Sequence, residues 1–162
     1  MDKGLPSWVG PAALTLVGVA NIIGTFIVGK TGKLIEKRKA LSLIYALRAV
    51  VFLGFLYLPT TPVTVIGLSG ALGLIWLATV PLTSGLVATF FGTAWMSMLF
   101  GVVFLSHQVG SFTGLLIAGY LYDLTGSYNA MWWVSIALGL FAGLIHWPIQ
   151  ERPVARLQAQ TA

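Results

Sequence analysis

His107 and Gln108 stand side by side in the run FLSHQVGSFTG, residues 104–114, where most neighbours are apolar or glycine. An imidazole titrates near neutral pH and both donates and accepts hydrogen bonds, so it can carry a proton or hold a polar solute. At helical spacing His107, Ser111, Gly114 and Ala118 fall at i, i+4, i+7 and i+11 and form one small or polar stripe. Such a stripe faces a neighbouring helix or a water-filled cavity. Two readings of His107 stay open: hydrogen-bonded packing between helices, or a contact to substrate or proton.

Arg48 interrupts a second apolar run, LSLIYALRAVVF (41–52), and Asn21 a third, NIIGTFIVG (21–29). Arg48 lies about eight residues, or about 12 Å, into its run, close to the midplane of a bilayer. A cation there costs about 2.5–3.5 kcal/mol on insertion scales, so it faces protein or water unless it snorkels to the interface. The four acids, Asp2, Glu36, Asp123 and Glu151, all fall at run ends or outside the runs. The partner of Arg48 is then a bound anion, backbone or amide oxygens, or an acid on another polypeptide. Asn21 lines the same cavity or bonds across to a neighbouring helix.

These residues need elements to position them, and composition decides which. The chain is 57% hydrophobic and 8% charged, against about a quarter charged in soluble domains. That is too little polar surface for a globule in water. A net charge of +5 reads as loop charge that orients a membrane protein, not as a nucleic-acid surface. With no cysteine there is no disulfide, thiolate metal site or thiol nucleophile.

A bilayer core needs about 20 apolar residues in a helix. Five runs meet that, at about 9–28, 40–58, 63–80, 96–121 and 131–149. None alternates as a membrane β-strand would, so the fold class is all-α, a polytopic helical bundle. The first run continues past Gly18 and Ala20 to Val28 and reads as a span, not a cleaved leader. Residues 1–8 precede the bundle, and 150–162 form a tail expected to lack regular structure after Pro153. The uncharged segment 82–95 is expected at the interface or re-entering against protein. Trp8, Trp132 and Trp147 fall near span ends, as interfacial anchors should.

Lys30, Lys33, Lys37, Arg38 and Lys39 crowd the 29–39 loop, and Arg152 and Arg156 the tail, whereas the other side has only Lys3. The positive-inside rule then puts the N-terminus outside and the C-terminus in the cytoplasm. GKTGK (29–33) lacks the spacing of a phosphate loop, and no metal-ligand, cofactor or catalytic constellation is legible. The sequence gives no reason to expect an enzyme. GxxxG patterns at 110–114 and 139–143 permit close helix approach.

Read with the earlier runs, GYLYDLTGSY (119–128) resembles the end of the eleventh helix of a major facilitator superfamily transporter, nearest the monocarboxylate-porter and oxalate/formate-antiporter branch. Tyr122, Asp123, Thr125, Gly126 and Tyr128 carry that motif. The 21–29 run with its basic loop resembles the eighth helix, 41–52 the ninth and Ala78-Thr-Val-Pro81 the end of the tenth. The family's loop reads G-x-L-x-D-R-x-G-R-R. Here Gly32, Leu34, Glu36, Lys37 and Arg38 align with it without its second glycine; counted back from Tyr45 and Arg48, its acid position falls on Lys33.

The resemblance implies helices eight to twelve of a twelve-helix carrier that moves a small solute by alternating access, the solute being an organic anion such as a monocarboxylate. It implies solute-pathway roles for Asn21 on the eighth-like helix and for His107, Gln108 and Ser111 on the eleventh-like helix. Arg48, on the ninth-like helix and off the central path, becomes a structural intramembrane ion. The implied partners are the bilayer of a plasma or inner membrane, the solute, and either a missing N-terminal half or a second copy. No cofactor, metal or nucleic acid is implied. The other expectation is a stand-alone membrane protein, an accessory or assembly subunit or an inactive remnant.

Overall fold

The computed structural model describes residues 4–32 and 34–154 and, among them, contains helices and no strand. The helices are α1 (Val9–Thr31), α2 (Lys37–Tyr57), α3 (Pro62–Trp76), α4 (Thr79–Phe91), α5 (Met96–Thr125) and α6 (Asn129–His146). Five stretches are long and apolar enough to cross a membrane, because α3 and α4 together make one, Pro62–Phe91. The fold is an all-α membrane bundle.

That third stretch differs from its expected form. Residues 82–91 continue as helix and are packed, with Leu82, Leu86 and Val87 buried. Thirty residues would run about 45 Å if straight, well beyond a 30 Å core, so the stretch must tilt or bend. It breaks at Leu77–Ala78. Pro81 is the local cause: it has no N–H to give Leu77 O, which instead accepts from Val80 N at 3.0 Å in a tighter turn.

Two helix pairs pack most closely, and further contacts tie them into one bundle. α1 lies along α3 with backbones nearly touching: a Cβ on Gly24 would stand 1.8 Å from Leu74 O, and one on Gly73 2.6 Å from Val17 O. α2 packs on α6, where Gly139 faces Tyr45 O and Gly143 faces Ser42 O. Ser42 Oγ seals that seam by donating to Gly143 O at 2.6 Å. Leu41 and Ile44 of α2 meet Leu82 and Leu86 of α4 in the buried core. In lipid the packing of small residues takes the place of a hydrophobic drive, so these glycine contacts hold the bundle together. α5 only brushes α4 and α6 and has no buried residue.

The chain turns are built locally. Thr61 caps α3 by accepting from Thr64 N at 3.2 Å, with Pro62 at the first helical position. The α2–α3 and α5–α6 turns meet at one end of the bundle around a cleft of about 600 Å³. The α1–α2 turn, the end of α4 and the tail meet at the other.

Candidate functional site

Arg48 has found its partners in the backbone. One Nη donates to Ile75 O at 3.0 Å and to Trp76 O, with Thr79 Oγ1 at 3.5 Å. Its guanidinium also lies over the rings of Tyr45 and Trp76, at 5.1 and 5.6 Å. Ile75 and Trp76 are the last residues of α3, whose carbonyls a continuous helix would bond internally. From the other side, Asn21 Oδ1 accepts from Leu77 N at 2.9 Å. A cation from α2 and an amide from α1 thus satisfy the backbone groups at the broken helix. Of the three partners open from sequence, backbone oxygens are the ones present. Among the described residues no acid reaches Arg48, and it is carbonyl dipoles that face its charge.

The α5 stripe is not brought to this joint by any hydrogen bond. His107, Gln108 and Ser111 are exposed, and among the described residues none of their side chains bonds another helix. The nearest ring to His107 is Phe104 of its own helix, at 6.1 Å. Gly110 and Gly114 face open space, unlike Gly139 and Gly143. Asn21 also lines an open apolar groove along α1 with Ile22, Thr25, Phe26 and Lys30. The four solute-pathway candidates therefore divide between two surfaces.

The YDLTGSY segment forms a compact turn. Gly126 ends α5 at φ +65°, a left-handed position that favours glycine, and its N–H reaches Tyr122 O at 2.7 Å. Thr125 Oγ1 donates to Leu121 O at 2.7 Å and to Ser127 O at 2.9 Å. Tyr122 stacks on Tyr128 at 4.5 Å, and both line the cleft at that end. Asp123 makes no ion pair among the described residues.

At the opposite end, the basic loop is knitted to the tail. Lys33 lies outside the described residues, as do residues 155–162, and Gly32 ends α1 with its N–H on Val28 O. Glu36 pairs with Arg38 at 3.0 Å and with Lys39 at 2.9 Å. Glu151 accepts from Arg38 N at 2.7 Å and pairs with Lys37 at 3.6 Å. Arg38 Nη1 donates to Trp147 O at 2.9 Å, and Val154 N to Phe90 O at 3.0 Å. Sequence reasoning missed Glu151; the signal was an acid just past the last span, on the side predicted for the lysine-rich loop.

The Glu36 carboxyl is held below its ordinary value of 4.5. The Lys39 hydrogen bond is the largest cause, desolvation opposes it, and the Arg38 contacts add to the lowering. Because the folded carboxyl is the stronger acid, its stabilisation is fully present above 4.5 and is lost as pH falls through the lowered value. Protection of the 34–40 amides, taken relative to their slower intrinsic exchange in acid, should therefore fall on acidification, and Glu36→Gln should flatten that acid limb. An identical acid limb in the variant would assign it to another group.

Five apolar stretches, a glycine-packed bundle and half-buried polar side chains between its helices define an integral membrane protein. The Major Facilitator Superfamily model matches residues 2–162, and the chain belongs to that superfamily, whose members are transporters. No curated protein and no solved structure matches the chain.

Proposed function

We propose that the chain is the C-terminal bundle of a secondary transporter, its five stretches corresponding to helices eight to twelve. It moves a small organic anion of the monocarboxylate or oxalate/formate kind by alternating access. The observation that carries this reading is α5. A 30-residue apolar helix with no buried residue presents His107, Gln108 and Ser111 outward, and polar groups against lipid are costly unless water or another polypeptide covers them. A solute pathway between this bundle and an N-terminal half, or a second copy, provides that cover.

In this reading the N-terminus lies outside and the lysine-rich end is cytoplasmic, in a plasma or inner membrane. A reporter fused after Ala162 should read as internal, and cysteines placed at Thr60 and Ser127 should label from outside. The chain's lack of native cysteine makes that labelling clean. An externally active reporter would reverse the orientation.

One observation favours the rival reading of an accessory subunit or inactive remnant. Arg48 and Asn21 both bond backbone at the α3–α4 joint, which supports Arg48 as a structural ion, and among the described residues the spans' interior has no other arginine or lysine for an anion. The deciding experiment is uptake of labelled formate, oxalate and lactate into proteoliposomes. The chain alone should be inert, and the assembly purified with it in mild detergent should show saturable exchange that His107→Leu abolishes. An assembly inert toward all three would favour the accessory reading. Saturable flux from the chain alone would point to a second copy completing the pathway.

A further inference from the structure

The break between α3 and α4 falls where the stretch leaves its close seam with α1 and enters the buried core shared with α2. Up to Leu74, α3 is locked to α1 backbone against backbone. From Leu82 onward, α4 belongs to the core it shares with α2. Between them, residues 75–79 carry end groups that a continuous helix would bond internally and that Pro81 prevents from pairing normally. Besides the local turn and Thr79 Oγ1, which donates to Trp76 O at 3.4 Å, two side chains from other helices hold this joint. Asn21 of α1 holds Leu77 N. Arg48 of α2 holds Ile75 O and Trp76 O on the α3 side and reaches Thr79 Oγ1 on the α4 side.

We propose that this joint is a two-key latch. The angle between α3 and α4 is fixed only while Asn21 and Arg48 are both engaged, and a shift of α1 or α2 frees the joint to bend. The backbone-to-backbone seam of α1 on α3 cannot absorb such a shift, whereas a few side-chain hydrogen bonds can break and remake. Pro81 makes the joint the weakest point of the 30-residue stretch. Arg48 matters most because, coming from another helix, it reaches both sides of the break. The inference concerns movement within this bundle and stands whether or not the chain transports a solute.

The test is amide hydrogen exchange on the purified chain in nanodiscs, comparing wild type with Asn21→Leu, Arg48→Met and Arg48→Lys. Each of the first two should raise exchange of the Leu77–Val80 amides by about tenfold or more. Protection along the α2–α6 seam should hold, and Arg48→Lys should restore part of the effect because an ammonium still donates to the carbonyls. Unchanged exchange at the joint would overturn the latch, as would an equal rise along α2, α4 and α6.

If Arg48→Met does not fold, Asn21→Leu decides. Spin labels on Val63→Cys and Phe91→Cys, both exposed positions at the outer ends of α3 and α4, should give one narrow distance in the otherwise wild-type chain. That distance should broaden in Asn21→Leu, and an unchanged narrow distance would overturn the proposal.

Discussion

Gly24→Ala should detach α1 from α3 and cost the chain about 3 kcal/mol or more, the upper part of the range for overpacking. The added Cβ would stand 1.8 Å from Leu74 O and 2.6 Å from Leu74 C. Both are backbone atoms, so no rotamer change relieves the clash. The helices must separate, and separation also opens the contact of Gly73 with Val17 and Ala20. In lipid, no hydrophobic gain compensates for lost packing. Gly18→Ala and Gly67→Ala are the controls, on the same two helices with nothing within 4 Å of the new methyl. They should be neutral or slightly stabilising, since alanine favours helix over glycine by up to about 1 kcal/mol. The readout is the midpoint of reversible denaturation in mixed micelles. A Gly24→Ala chain as stable as Gly18→Ala would mean that close approach does not hold α1 on α3.

The same glycines mark what sequence could and could not convey. Bundle class was legible because hydropathy and scarce charge are properties of whole runs, averaged over many residues. Seam assignment was not, because it depends on which helix lies opposite. Gly110 and Gly114 make as good a GxxxG as Gly139 and Gly143, yet only the second pair meets a helix.

Arg48 shows the limit differently. Its depth and lack of an acidic partner were readable, and so was the possibility of backbone oxygens. The break that frees those oxygens was hidden, because Ala78-Thr-Val-Pro81 read as the end of a span. Pro81 lies within α4, and the break lies four residues before it, where its missing donor is felt. For Asn21 a shared cavity and a bond to a neighbouring helix were both open, and the residue it bonds, Leu77, was not legible. Only the fold brings a residue of α1 and one of α2 to the same five residues.

Glu151→Ala should cost about 2 kcal/mol and loosen the lysine-rich end. The first turn of α2 contains no acid, and its N-cap, Glu36, makes no side-chain cap. Its exposed amides, at the positive end of the helix, need an acceptor. Glu151 supplies one from 113 residues away, taking Arg38 N at 2.7 Å. A hydrogen bond to a charged acceptor is worth about 1.5–3 kcal/mol, whereas the Lys37 pair at 3.6 Å adds little if treated as a surface pair. The two effects separate in Glu151→Gln, which keeps an oxygen for Arg38 N and loses the charge; it should recover about half of the stability. The carboxylate also anchors the tail that carries the Val154–Phe90 bond, so the Arg152 and Val154 amides should exchange with solvent faster in Glu151→Ala. Glu36→Ala tests the opposite case, because Glu36 bonds only side chains exposed to water, and it should barely move the unfolding midpoint. Equal midpoints and equal exchange of the tail amides in Glu151→Ala and Glu36→Ala would mean that the tail lies on the α2 terminus without capping it.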